Sequence, residues 1–553
     1  MTSHSPLQQA RLQYQPKLPK VLNAINAVSI EKAKERNPFH ESSVIANIFP
    51  LTHQSQFLEF TSGIKKNFNP LRVGVVLSGG QAPGGHNVIT GLYDALKKMN
   101  SENNLIGFLD GPSGIVDENY IEITNTLVDD YRNQGGFDMI GSGRTKIDTQ
   151  TQFIAALETV KKHKLDGLVV IGGDDSNTNA ALLAEYFIAN ECHTTVVGVP
   201  KTIDGDLKSE DVEISFGFDT AAKHYSETIG SLMRDVLSAK KYYHFIKLMG
   251  RSASHIALEC ALQTHPNMAF ISEEVAEENK SLKNLVDAIS DLICKRALQG
   301  KEYGVILIPE GVVEFIPEVK KLIGELNGLL AVSQSHASAL DGLESEKAKI
   351  GYIEKLLTKE SLSCFQTLPT ENQSQLLIGR DAHGNVQVSR IETERMMIEM
   401  VKNELKERSK IGSYKGSFSP LSYFCGYEGR SCLPSNFDSQ YCYALGHVAA
   451  LLVDGKANGY ICSLGNLTKP VGEWIPGGVP LTTMMTIEER NGKTKPVIRK
   501  ALVDLKGKPF AAFKQQRDKW ADEDSYVNPG PIQFFGPEAI TDCITHTLAL
   551  EQS

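Results

Sequence analysis

Two carboxylate clusters carry the chemistry most visible in this sequence: Gly172-Gly173-Asp174-Asp175-Ser176 and Pro200-Lys201-Thr202-Ile203-Asp204-Gly205-Asp206. Neighbouring carboxylates backed by a second acidic motif are what a hard, oxygen-seeking cation such as Mg²⁺ requires. The competing reading of the first cluster is electrostatic, because Asp residues also favour a helix N-terminus. In the second cluster Asp204 and Asp206 stand two residues apart, so a locally extended chain puts both on one side. One could then take the proton of an attacking hydroxyl while the other holds a metal or its waters. An ordinary Asp-Gly turn is the alternative.

A third element is Gly79-Gly80, followed by Gln81-Ala82-Pro83-Gly84-Gly85-His86-Asn87. It matches neither common glycine-rich phosphate motif, yet small residues ahead of a helix expected over Asn87–Leu96 let backbone amides approach an anion. A purely structural strand-to-helix turn explains it equally well. The net charge of −9 argues against nonspecific nucleic-acid binding, and no basic run interleaved with aromatics is present. Anionic substrates therefore need cations gathered locally, and Arg144, Lys201, Arg251 and Arg430 are the candidates.

These clusters need a scaffold that presents them together. From residue 72 onward, short β-branched runs alternate with amphipathic stretches, the pattern of parallel α/β construction. Strands are expected at Arg72–Leu77, Leu105–Leu109, Gly167–Ile171, Thr195–Val199, Phe245–Met249 and Val305–Ile308. Several of them end at the clusters above, at Gly250-Arg251, or at Pro309-Glu310-Gly311, and ligands of open α/β sheets bind beyond the carboxyl ends of strands. Phe153, Ile154, Leu157 and Val160 fall at helical spacing and read as core, as do Ile229, Leu232, Met233 and Val236.

At 553 residues the chain is long enough for several domains. The expected layout is an N-terminal extension (1–70), an α/β domain (71–213, completed by part of 432–505), a second α/β domain (214–431) holding a helical insertion at about 315–415, and an irregular C-terminal extension (455–553). Cys192, Cys260, Cys294, Cys364, Cys425, Cys432, Cys442, Cys462 and Cys543 show no paired spacing, so reduced thiols in a cytoplasmic protein are expected rather than a zinc site or disulfide framework. No leader-like segment or long apolar run suggests secretion or a membrane span.

Taken together, GGDDS at 172–176, PKTIDGDL at 200–207, MGRSASH at 249–255, PEG at 309–311 and YEGR at 427–430, with Gly79-Gly80, resemble the phosphofructokinase family and its long, pyrophosphate-dependent branch. The resemblance runs from about residue 72 to 450. It implies two Rossmann-like domains with mainly parallel sheets, plus the helical insertion and terminal extensions. It further implies that Asp204 is the base toward the C1 hydroxyl of fructose 6-phosphate, that Asp174 supports Mg²⁺ with Asp206 as a further participant, and that Gly79 and Gly80 contact pyrophosphate. Thr202, Ile203, Asp204, Met249, Gly250, Arg251, Glu310, Tyr427, Glu428, Gly429 and Arg430 would position the sugar phosphate, where a planar guanidinium grips phosphate with two directed bonds. Lys241 and Tyr242 would reach it across a subunit interface.

Donor choice rests on two positions in this resemblance. ATP-using relatives usually have Gly where Asp175 stands, and bacterial ones commonly have Gly where Lys201 stands. The Asp175 carboxylate would occupy the place of a nucleotide α-phosphate, and like-charge juxtaposition discriminates. Lys201 and Arg144 would then offset charge on the transferring group. The expected activity is reversible phosphorylation of fructose 6-phosphate by pyrophosphate in a homodimer. The alternatives are an ATP-dependent phosphofructokinase with an unusual donor loop, and a noncatalytic sugar-phosphate-binding subunit that regulates a partner.

Overall fold

The structure is a computed structural model that describes residues 4–33, 43–331, 334–378, 386, 388–490, 493–532, 541–542 and 544–553. Cys543 lies outside the described residues. The chain forms two units, one built from 1–224, 427–501 and 532–553, the other from 225–426 and 502–531.

In chain order the strands are β1 (Val28–Lys32), β2 (Leu58–Ser62), β3 (Arg72–Leu77), β4 (Asn104–Phe108), β5 (Tyr120–Glu122), β6 (Gly167–Gly172), β7 (Thr195–Thr202) and β8 (Phe216–Gly217) in the first unit. The second unit contributes β9 (Tyr243–Leu248), β10 (Met268–Ala269), β11 (Gly304–Pro309) and β12 (Pro420–Cys425). The chain then returns to the first unit for β13 (Tyr460–Gly465), β14 (Ile475–Pro480), β15 (Met485–Arg490) and β16 (Lys493–Ile498).

The first unit is organised on a sheet ordered β1-β2-β14-β13-β7-β6-β3-β4-β5. Its centre is parallel: β13 pairs β7, β7 pairs β6, β6 pairs β3 and β3 pairs β4. Every residue of β6 is buried, as a strand covered by helices on both faces requires. The helices are Gly85–Met99, Gln150–Lys162 and Asp174–Ala189, which make the crossovers, and Asn436–Asp454. From β3 the chain first moves outward to β4 and then returns to the other side of β3 for β6. The carboxyl ends of β3 and β6 therefore form a topological switch point, the place where such sheets bind ligands. Ser78 and Ser176 sit there with their hydroxyls 2.7 Å apart.

The terminal segments depart from expectation. The N-terminal stretch supplies β1 and β2, which pair antiparallel with each other, and β2 pairs with β14. Residues after 455 are not irregular: β13 and β14 are interior members of the sheet, β15 and β16 form an antiparallel ribbon, and Lys508–Asp522 is a helix. Gly477, Gly478 and two prolines mask β14 in the sequence, and its strand character comes from the partners on both sides rather than from propensity. Ile154 is also corrected: it is 42 % exposed, whereas Val160 of the same helix is fully buried.

The second unit has a four-stranded parallel sheet ordered β10-β11-β9-β12. The stretch expected to be a helical insertion forms helices, among them Pro317–Ala331, Lys359–Thr367 and Thr393–Lys410, which share a core with β9 and β11. Arg296 fixes the C-terminal helix of this unit. Its side chain is fully buried, donating from Nε to the Tyr303 carbonyl (3.0 Å), from Nη1 to the Ala521 carbonyl (3.0 Å) and from Nη2 to Asp524 (2.7 Å). Arg296→Met leaves two carbonyls without this donor and Asp524 with only Tyr303 and Lys301, so denaturant unfolding should show a loss of roughly 3 kcal/mol.

Candidate active site

The loop leaving β3 is held open by pairing with a distant segment. Ser78 bridges Gly143, and the Gly79 N–H donates to the Gly143 carbonyl at 2.8 Å. This pairing delivers Arg144 to Gly80: a Cβ built on Gly80 would lie 2.9 Å from Arg430 Nη1 and 3.7 Å from Arg144 Nη2. Lys201, at the end of β7, donates to the Gly80 carbonyl at 2.7 Å. Arg144, Lys201 and Arg430 thus converge on one glycine. The helix entrance expected to receive an anion lies elsewhere and is packed: Gly84 abuts Cys442, Gly85 abuts Phe137, and His86 is a buried core side chain whose Nε2 accepts from the Met139 N–H. That helix begins at Gly85, two residues ahead of the expected Asn87.

Burial and the neighbouring Arg430 lower the Lys201 pKa to about 8, against the pull of Asp204, Asp174 and Asp206. Those three carboxylates form the other half of the arrangement. The helix starts at Asp174 rather than near Asn177, which puts Asp174 and Asp175 in its first turn, where their charge complements the helix dipole. Asp204 and Asp206 are not on an extended strand. β7 ends at Thr202, and Gly205 turns the chain through φ +76°. The Thr202 hydroxyl braces this bend, accepting the Asp204 N–H at 3.0 Å and hydrogen-bonding Asp206.

Asp206 is 7 % exposed, and its pKa is pushed up to about 7 by burial and by the charges of Asp204 and Asp174, against the influence of Lys500. Asp204 Oδ1 is buried with no hydrogen-bond partner among the described residues. Ile203 contributes an apolar side chain at 1 % exposure, leaving only its backbone for a ligand.

Asp175 is not the bare charge that the sequence suggested. It is half exposed and pairs with Lys146 at 2.9 Å. Lys146 and Lys500 were both missed. Lys500 Nζ lies 3.6 Å from Asp174 Oδ2 although it is remote in sequence and follows β16. Nothing in the local sequence marks it, because sheet topology alone brings it back. Tyr427, which is 70 % exposed, and Glu428, Gly429 and Arg430 form a short turn of helix in this same unit.

The second unit holds the remaining candidates. Met249, Gly250 and Arg251 leave the carboxyl end of β9, and Glu310 leaves the carboxyl end of its neighbour β11, where its N–H donates to the Leu248 carbonyl at 2.8 Å. The two loops are pressed together: a Cβ on Gly311 would lie 1.9 Å from the Arg251 carbonyl oxygen. Lys241 and Tyr242 precede β9, with the ammonium 5.0 Å from the Tyr242 ring centroid. The six residues of β9 separate them from Met249 by roughly 20 Å, so this unit does not join them to Arg251.

A family model described as Phosphofructokinase matches residues 72–360. Over 561 residues the chain is 50% identical to a Treponema pallidum protein named pyrophosphate–fructose 6-phosphate 1-phosphotransferase, covering 100% of this chain and 97% of that one. It is 56% identical over 481 residues to subunit beta 1 of the enzyme of that name from Arabidopsis thaliana, covering 87% and 82%. Among solved structures, a pyrophosphate-dependent phosphofructokinase from Nitrosospira multiformis superposes with a TM-score of 0.50 at 17% identity, covering 74% of this chain and 83% of that one, a likeness of fold. A family match across half the sequence, joined by relatives half identical from end to end, makes this chain a member of the phosphofructokinase family.

Proposed function

We propose that the chain transfers a phosphoryl group from pyrophosphate to the C1 hydroxyl of fructose 6-phosphate, reversibly, yielding fructose 1,6-bisphosphate and orthophosphate. The observation that carries this reading is the convergence of Arg144, Lys201 and Arg430 on Gly80, beside the electrostatically coupled carboxylates Asp174, Asp204 and Asp206. The names of full-length relatives at 50% identity support it.

In this mechanism Asp204 accepts the hydroxyl proton as the oxygen forms its bond to phosphorus. The bond from phosphorus to the bridging oxygen breaks, and Lys201 and Arg144 offset charge on the transferring and departing groups. Positioning and electrostatics supply the acceleration. Thr202, whose hydroxyl accepts the Asp204 N–H, fixes the backbone that carries this carboxylate. In the second unit Arg251 would bind the sugar phosphate, with Met249, Gly250 and Glu310 shaping the contact; in the first unit Arg430 would bind phosphate, with Tyr427, Glu428 and Gly429 beside it.

Magnesium is part of this proposal, and the donor set fits it. Among the described residues no group of three or more His, Cys, Asp or Glu side chains forms a ready metal cage. Asp174 and Asp206 instead offer the one or two carboxylates that Mg²⁺ uses when substrate phosphates and waters complete its shell. Once bound it would neutralise charge on the phosphate oxygens.

A homodimer is also proposed, because Lys241 and Tyr242 lie at the wrong end of β9 to reach the site from their own unit and need a second copy to contribute. The described cysteines are all unbridged, which supports a reducing, cytoplasmic setting. Among the described residues no helix is long and apolar enough to cross a membrane.

Parallel assays of the purified protein with pyrophosphate and with ATP test the donor assignment, and faster turnover with ATP overturns it. The sugar side is tested by Gly311→Ala. The added methyl collides with backbone rather than a mobile side chain, so the Arg251 turn must shift. The expected result is a KM for fructose 6-phosphate raised about tenfold with the KM for pyrophosphate little changed, since a displacement near 1 Å can cost as much as 10²-fold.

A further inference from the structure

Lys500 belongs to none of the motifs, yet its backbone is tied to the carboxylate cluster at several points. The Ile498 N–H donates to Thr178 Oγ1 at 3.1 Å, the Arg499 N–H to the Met484 carbonyl at 2.9 Å, and the Ala501 N–H to the Asp206 carbonyl at 2.7 Å. Thr178 in turn donates to the Asp174 carbonyl at 2.9 Å. The segment is thereby laid against the first turn of the Asp174 helix and against the Asp206 bend together. From that position the Lys500 ammonium stands 3.6 Å from Asp174 Oδ2, with the two side chains 28% and 26% exposed, and its charge is also felt at Asp206. One of the carboxylates that would take a divalent cation, Asp174, is thus already paired with this lysine.

We infer that Lys500 is a tethered counter-cation of the donor site: it pairs with Asp174 before a divalent cation arrives, must be displaced for the cation to bind, and so sets the metal concentration at which the site loads. The inference rests on the phosphotransferase reading given above. Its physical basis is competition. One carboxylate oxygen cannot serve an ammonium and a divalent ion at full strength, and an ammonium left within a few ångströms repels the incoming charge. The lysine stem is flexible while its backbone is pinned, so displacement swings the ammonium without disturbing β16. Lys500 is a positioning residue in this scheme, acting on the reaction through Asp174.

The test is equilibrium binding of Mn²⁺ alone to the full chain at neutral pH, without pyrophosphate or sugar, read from the EPR signal of free aqueous Mn²⁺. Lys500→Met and Lys500→Gln should each bind Mn²⁺ about fivefold more tightly than the unaltered chain, the scale of a partly exposed ion pair. Lys500→Arg, which keeps the charge, should stay within about twofold. A merely structural role predicts the opposite sign, because loosening the segment would weaken the site. Unchanged or weaker binding in either neutral variant overturns the inference, and so does tightening in the arginine variant equal to theirs. The hydrogen bonds that seat the segment are made by main chain and survive all three substitutions.

The two readings fail separately. If the unaltered chain uses pyrophosphate while the neutral variants bind Mn²⁺ as it does, Lys500 loses its role and the function stands. If it prefers ATP, the donor assignment falls whatever Mn²⁺ does.

Discussion

Asp204→Ser should lower kcat by roughly 10²–10⁴-fold, the usual worth of a positioned general base, while the protein stays folded. The structure gives a specific reason to expect intact folding. Asp204 Oδ1 is buried without a hydrogen-bond partner among the described residues, so its removal breaks no bond at that atom and relieves repulsion with Asp206. The pH dependence of stability carries the sign. The Asp206 pKa is raised to about 7 by burial first and by Asp204 second. A carboxyl whose folded pKa is raised contributes stability that is full below its unfolded pKa and is lost as the pH rises through about 7.

Removing Asp204 lessens that loss, so the metal-free variant should gain in melting temperature relative to the unaltered protein at pH 8 and show little difference at pH 5. Near-normal kcat in the variant would remove Asp204 as the base. A melting-temperature difference independent of pH would remove the coupling to Asp206.

The second large effect concerns donor choice. Lys201→Met is expected to cut pyrophosphate turnover by about 10²–10³-fold, comparable to loss of a preorganised charge-stabilising donor. Because Lys201 is buried and its pKa is lowered to about 8, kcat/KM for pyrophosphate should fall as the pH rises through that value, when the free site loses its ammonium. The methionine variant should lack this limb. Asp175→Gly should raise kcat/KM for ATP about tenfold.

That figure is smaller than a buried like-charge clash would give, since Asp175 is half exposed and partly neutralised by Lys146. Exposed pairs are worth little, so Lys146 tempers the exclusion without abolishing it. If Asp175→Gly gains nothing with ATP, shape rather than charge excludes the nucleotide.

Much of this protein was legible from residue types alone. The β-branched runs Arg72–Leu77 and Gly167–Ile171 read as strands, because their apolar residues are continuous and the next residues are Gly, Ser and Asp, and both are buried strands in the structure. Their position ahead of the charged clusters leads to the expectation of ligands at the carboxyl ends of these strands. Residue types alone picked out Asp174, Asp204, Asp206 and Lys201 as candidates, and the roles proposed for them came from the family resemblance. The structure adds how they are held, through the Thr202 hydroxyl and the Gly205 turn, which local spacing alone does not specify.

What the order of amino acids could not disclose depends on contacts between segments far apart in the chain. β14, with its glycines and prolines, becomes a strand only between β13 and β2, and Lys500 reaches Asp174 only because β16 returns along the helix that begins there. Local pattern determines which residues are apolar, charged or free to turn. Packing between distant segments determines which charges end up within a few ångströms of each other, and electrostatic strength at those separations depends on distance and burial rather than on sequence proximity.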